Sequence, residues 1–80
     1  MMSEPHSDET LDVIGLNCPM PILRAKKALA AMEAGKILKV LATDKNAPDD
    51  FAAFCRQTGH QLLQVHNGED GVMQMWVKHR

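Results

Sequence analysis

Tyrosine is missing from this 80-residue chain, whose whole aromatic content is one tryptophan and two phenylalanines. A core must therefore be built from aliphatic side chains and the six methionines, whose flexible thioethers fill irregular gaps. An excess of one charge is missing as well. Nine Lys and Arg face ten Asp and Glu, a net −1, so there is no basic field to hold nucleic acid directly. No apolar run approaches the ~18 residues of a transmembrane helix, so a membrane partner is not expected. Residues 1–10 are polar and acidic, without the apolar stretch of a signal peptide, and read as a disordered tail before one domain over residues 11–80. With only two cysteines and no Cys-x-x-Cys spacing, the expectation is a reduced pair in the cytoplasm rather than a disulfide.

Familiar catalytic sets are also lacking. His6, His60, His66 and His79 are scattered, and none forms a short ligand pair, so no metal and no cofactor are expected. There is no glycine-rich phosphate loop and no Ser-His-Asp pattern. Asp8, Glu9 and Asp12, and Asp49 with Asp50, read as solvated or helix-start charges rather than an acid/base pair. Conventional hydrolysis lacks its parts.

What is present organises cleanly. Residues 11–14 form a short strand ending at Gly15. Over residues 19–32, Ile22, Ala25, Leu29 and Met32 recur at helical spacing, and Gly35 reads as the C-terminal stop. Residues 37–42 are apolar except for Lys39, the pattern of a central strand parallel to the first through a helical crossover. A turn over 44–48 leads into a second helix that has Phe51, Phe54, Cys55 and Thr58 on its inward stripe and Gly59 at its end. Residues 61–66 and 72–78 are two strands around the hairpin signal Asn67-Gly68-Glu69-Asp70-Gly71. The order β-α-β-α-β-β predicts an α+β two-layer sandwich, a mixed four-stranded sheet with both helices on one face. Met73, Met75 and Val77 share one face of the last strand, and Val72, Gln74 and Trp76 the other. Whichever set faces away from the helices either offers apolar area to a partner or belongs to an amphipathic strand with a partly shielded Trp76.

Cys18 is the chemical feature of the chain. It stands in Gly15-Leu16-Asn17-Cys18-Pro19-Met20-Pro21, at the mouth of the first helix, where the macrodipole favours an anion and lowers a thiol pKa. Pro19 drives Cys18 toward the extended conformation of an N-cap and suits the first helical position. Pro21 removes another N–H, which leaves the Met20 amide as the main first-turn donor for the sulfur. Arg24, Lys26 and Lys27 follow within the same helix and predict a basic docking face. Cys55, mid-helix between Phe54 and Arg56, reads as a buried structural thiol.

On these residues the sequence resembles the TusA/SirA-like sulfur carrier family. The resemblance continues through Lys26-Lys27-Ala28-Leu29, Gly35, Ala42-Thr43-Asp44, Phe54-Cys55-Arg56 and Gly59-His60-Gln61-Leu62. It implies a two-layer α/β protein with a persulfide on Cys18, framed by Pro19 and Pro21. Sulfur would come from a cysteine desulfurase or a rhodanese-like donor and pass to an acceptor in the next relay step. The route ends in tRNA 2-thiouridine, or serves molybdenum cofactor supply or sulfur oxidation. The chemistry fits, because relay by thiolate attack needs one accessible cysteine and a docking surface. A monomer that exchanges partners is the expected state. Two other readings stand beside it, a regulatory binding module in which Cys18 is structural and a redox protein using both cysteines.

Overall fold

Parallel strands need a crossover, and the sequence supplies one between its first two apolar runs. In the computed structural model, which describes residues 5–80, the elements are β1 (Glu9–Val13), α1 (Met20–Ala30), β2 (Ile37–Ala42), α2 (Ala47–Thr58), β3 (Gln61–Asn67) and β4 (Met73–Lys78). The sheet order is β1-β2-β4-β3. β1 pairs parallel with β2, and the other two pairings are antiparallel. Side chains of both helices share one core with the inward set of the strands, the expected two-layer α+β arrangement. No helix among the described residues is long and apolar enough to cross a membrane.

Two boundaries depart from the sequence reading for reasons the structure shows. β1 takes in Glu9 and Thr10, which the tail reading left out. An edge strand tolerates such polar residues, and the Asp8 amide and carboxylate extend the pairing to Ile37 at 2.8 and 2.9 Å. The first four residues of that tail lie outside the described part. α1 ends at Ala30, closed by tight bonds from Ala31 N–H to the Ala28 carbonyl and from Met32 N–H to that of Leu29. Gly35 is therefore not the helix stop. It sits at a left-handed φ of +85° and donates its amide to the His79 carbonyl at 3.0 Å, tying the α1–β2 loop to the end of β4. Gly59 does what was expected, capping α2 at φ 88° with its N–H on the Cys55 carbonyl.

β2 reads the pleat directly: Leu38, Val40 and Ala42 are buried and alternate with half-buried Ile37, Lys39 and Leu41. Phe51, fully buried, meets Phe54 edge-on at 6.3 Å between centroids, a favoured geometry for two rings. On β4, Met75 and Val77 join the helix-side core. Trp76 points to the other face and yet is only 1% exposed. Of the two expectations for that face, open apolar area or a shielded tryptophan, the structure has the second, with the indole covered. Lys39, its partner across the ladder, brings Nζ to 5.6 Å from the ring centre, so an ammonium and its aliphatic stem shield the ring.

At the far end of the helices the chain closes on itself. His60 Nδ1 accepts the Arg80 amide at 3.1 Å, and Arg80 Nη1 donates to the Thr58 carbonyl at 2.7 Å. The His60 ring lies between Phe54 and His79, at 5.7 and 4.7 Å. Burial, then the neighbouring positive charges of His79 and Arg80, hold His60 below its ordinary value of 6.5. The unfolded chain therefore takes up this proton more readily than the folded one. Stability from this group should be complete above about pH 6.5 and fall as pH drops through the lower folded-state value. Urea denaturation across that range should detect the loss, and the His60→Gln variant should show a flatter profile.

Candidate functional site

The parallel pairing of β1 and β2 decides what surrounds Cys18. Val13 stands opposite Ala42 in the register, so the two strands end side by side and their following loops run together. Ligand and reaction sites commonly form at the C-terminal ends of parallel strands. Here the two loops are stitched by side chains of the second one. Gly15 N–H donates to Thr43 Oγ1 at 2.8 Å, and Cys18 N–H donates to Asp44 Oδ2 at 2.8 Å. Asp44 Oδ1 accepts the Asn46 amide at 3.1 Å, which joins the same carboxylate to the start of α2. Leu16 packs against the core below, while Cys18 itself is exposed.

The first turn of α1 is not the thiol cradle that the sequence suggested. The cap residue is Pro19, at φ −97° and ψ 10°, and the peptide before it is cis. Cys18 therefore precedes the helix instead of capping it. The Met20 amide is engaged by the Asn17 carbonyl at 2.9 Å, and Pro19 and Pro21 have no amide hydrogen to offer. The helix takes hold with Leu23 N–H on the Pro19 carbonyl at 3.1 Å. Pro21 is buried, whereas Pro19 and Met20 stay exposed. The two prolines follow the cysteine, Pro19 at the surface and Pro21 buried.

The electrostatics also reverse. The nearby Asp50 carboxylate, with partial desolvation and the charge of Asp44, raises the Cys18 thiol above its usual range. Nearby carboxylate charge outweighs the partial charge of a helix end, which fades within a turn and acts through free N–H groups. Asp50 lies on α2, and its amide bonds to the Asn46 carbonyl at 2.9 Å. The sequence reading took Asp50 for a helix-start charge and Asp44 for a turn residue. The available signal was the Thr43-Asp44 pair after an apolar strand, legible only once that strand is set beside the first.

The other candidate residues divide. Arg24 and Lys27 are exposed on α1. Lys26 is exposed too, but lines a hollow of about 440 Å³ with Leu29, Thr58, His60 and Arg80, at the helix ends away from Cys18. Cys55 is buried in the core, and burial pushes its thiol up; neither cysteine is in a disulfide. Among the described residues, no three His, Cys, Asp or Glu side chains converge as a metal-holding set. The sequence reading passed over Ile14, Met20 and Leu23. They are 45%, 37% and 50% exposed; Met20 and Leu23 lie on the first turn of α1, just after Cys18, whereas Ile14 lines a hollow with Leu41, His66 and the β3–β4 turn.

Residues 9–79 match the family model of sulfurtransferase TusA. A candidate sulfur carrier protein of Neisseria meningitidis is 62% identical over 74 residues, 92% of this chain and 99% of that protein. The sulfur carrier protein TusA of Allochromatium vinosum is 56% identical over 57 residues, 71% of this chain and 75% of that protein. Among solved structures, a SirA-like protein from Desulfitobacterium hafniense superposes with a TM-score of 0.79 at 30% identity. The match covers 89% of this chain and 96% of that one.

Removing the carboxylate that joins the two loops should release both. Asp44→Ala is expected to cost about 1 kcal/mol by denaturant unfolding, the scale of a net hydrogen bond. Amide exchange at Cys18 and Asn46 should speed up with it, while the strand amides of β2 keep their protection.

Proposed function

The chain belongs to the sulfurtransferase TusA family, and from that premise we propose that it is a sulfur carrier that holds sulfane sulfur as a persulfide on Cys18. The observation that carries this reading is an exposed cysteine whose backbone is tied at 2.8 Å to a neighbouring loop. A nucleophile held this way loses little entropy when it meets a partner. Its exposure also speaks against a purely structural thiol, which would fill space in the core as Cys55 does.

The reaction is an exchange between sulfurs. Cys18 attacks the terminal sulfur of a donor persulfide, and the donor thiol leaves. Later the acceptor's thiolate attacks the sulfur carried on Cys18 and regenerates the thiol. The donor is a cysteine desulfurase or a rhodanese-like protein, and the acceptor is the next relay protein, within the reducing cytoplasm. The pathway is a sulfur-trafficking route such as tRNA 2-thiouridine formation. Met20 and Leu23, exposed on the first turn of α1, supply apolar contact for a partner. Arg24 and Lys27 add positive charge along α1. Lys26, expected to share that role, lines the hollow at the far end and lies outside the proposed surface. The carrier acts as a monomer that exchanges partners.

Incubation with an active cysteine desulfurase and cysteine should add one sulfur atom to Cys18, seen by mass spectrometry and removed by reductant. The adduct should vanish in Cys18→Ser and persist in Cys55→Ser. No adduct on the wild-type protein, with a donor active on another carrier, would sink the proposal. Reversing Arg24 and Lys27 to glutamate together should slow loading by about fivefold at low salt, and the difference should shrink as salt screens the encounter.

A further inference from the structure

The four strands end level with one another at the cysteine end of the sheet. Val13 stands opposite Ala42, Ala42 opposite Met73 and Met73 opposite Asn67. The β3–β4 turn therefore rises from the same rim as the Cys18 loop and the β2–α2 turn. Cys18 is drawn inward from the β1 border, because its amide donates to Asp44 just past β2. From β2 to β3 is two strand spacings, about 10 Å. A stable protein–protein interface covers about 800 Å² on each partner, a patch roughly 16 Å in radius. Centred on Cys18, such a patch takes in the β3–β4 turn.

That turn is braced by its own hydrogen bonds. Gly68 N–H donates to the Val72 carbonyl at 3.0 Å and Gly71 N–H to that of Gly68 at 3.2 Å. Val72 N–H donates to Asp70 Oδ1 at 3.1 Å. A Cβ at Gly68 would stand 2.7 Å from Asp70 Oδ1 and 2.8 Å from the Val72 oxygen, so only glycine fits the closed turn. Asp70 is thus used within the turn, while Glu69 is exposed and, among the described residues, takes no hydrogen bond or ion pair. Beside the turn, on the sheet face without helices, lies a hollow of about 890 Å³. Leu41, Gln74 and His66 cross its base in one row of the ladder, and Ile14 and Val72 add apolar lining. Glu69 and Asp70 border it, and no lysine or arginine does. Its size is that of clefts that hold drug-sized molecules, ample for one long side chain with backbone on either side.

We propose that this hollow receives a basic side chain of the sulfur donor, its aliphatic stem on Ile14, Leu41 and Val72 and its charge at Glu69. The inference rests on the carrier reading of Cys18 and names a second contact that the donor makes. A long cationic side chain carries both characters, an apolar stem and a charged head, and arginine is enriched at protein interfaces. Arg24 and Lys27 belong to α1, on the helix side of the sheet. The two faces beside Cys18 thus present opposite signs, negative at the turn and positive on α1. A donor with the complementary arrangement is held in one orientation, which is what charge complementarity contributes to a transient complex.

Single-turnover loading of Cys18 from a persulfidated cysteine desulfurase, followed against donor concentration, tests this contact. Glu69→Lys should slow loading about fivefold or more at low salt and subsaturating donor, the scale of a rim attraction replaced by a repulsion. At saturating donor its rate should match wild type, since Glu69 touches no reacting atom. Glu33→Lys makes the same change of charge on an exposed residue before β2, at the opposite end of the sheet, and should load like wild type. Ile14→Ser should also raise the donor concentration needed. Added salt should relieve the Glu69→Lys defect and leave that of Ile14→Ser. In isotope-labelled Cys18→Ser, which takes up no sulfur, unlabelled donor should shift the amide NMR signals of residues 68–72, Ile14 and Leu41. Circular dichroism checks folding, and if Glu69→Lys is misfolded the NMR map decides alone. Equal loading by Glu69→Lys and Glu33→Lys, a defect that persists at saturating donor, or unmoved signals in the turn overturns the contact and leaves the carrier reading standing. A wild-type protein that takes up no sulfur overturns the carrier reading and the contact with it.

Discussion

The parallel register of β1 on β2 is the constraint from which the rest of the site follows. Without Val13 opposite Ala42, the loop that contains Cys18 and the turn that contains Thr43 and Asp44 would have no reason to meet. The crossover helix α1 pays for that register by spanning the sheet and burying Ala25 and Leu29 against it. Once the strand ends are adjacent, short polar side chains suffice to join the loops. One hydroxyl and one carboxylate bind two backbone amides of the cysteine loop, both at 2.8 Å. A cysteine on a loop thereby acquires the positional definition of one on a secondary-structure element.

That definition comes with an electrostatic cost, because the group that fixes the backbone is an anion and a second anion lies near the sulfur. Reactive cysteines are usually described by what lowers their pKa. Here the local charges act the other way, although the cysteine is exposed and stands before a helix. A carrier of the kind proposed would leave its thiol unloaded and open to solvent for part of each cycle. For such a group, reactivity that appears in the presence of a partner is more useful than reactivity at all times.

Much of the fold was legible in the sequence because its signals are local and redundant. Helical spacing in α1, glycine at the end of α2 and the near-continuous apolarity of β2 each point to an element without help from the others. The boundaries that slipped were those fixed at a distance. Gly35 is explained by His79 rather than by the helix before it, and Glu9 by its place opposite Leu38 rather than by its own polarity. Cys18 was legible from its prolines, yet its electrostatic surroundings were not. Asp44 and Asp50 lie 26 and 32 positions further along the chain, and periodicity cannot tell which acidic residues at a helix start lie near a thiol. Trp76 makes the same point in the core. Alternation separated it from Met73, Met75 and Val77 without saying which set faces the helices, and only the cross-strand partner Lys39 shows how it is covered.

β3 is an outer strand of the sheet, with Leu63 and Val65 45% and 36% exposed. A long, flat strand of that composition at a sheet edge invites another copy to add itself. The register shift between Leu62 and Gln64 interrupts the even row of hydrogen-bonding groups that such addition requires. β1, at the opposite border, is only five residues long and mostly polar. Both borders of the sheet are thus poor templates for self-association. For a carrier of the kind proposed, whose copies would have to stay apart to meet other partners, that irregularity in β3 would serve an end the cysteine loop cannot.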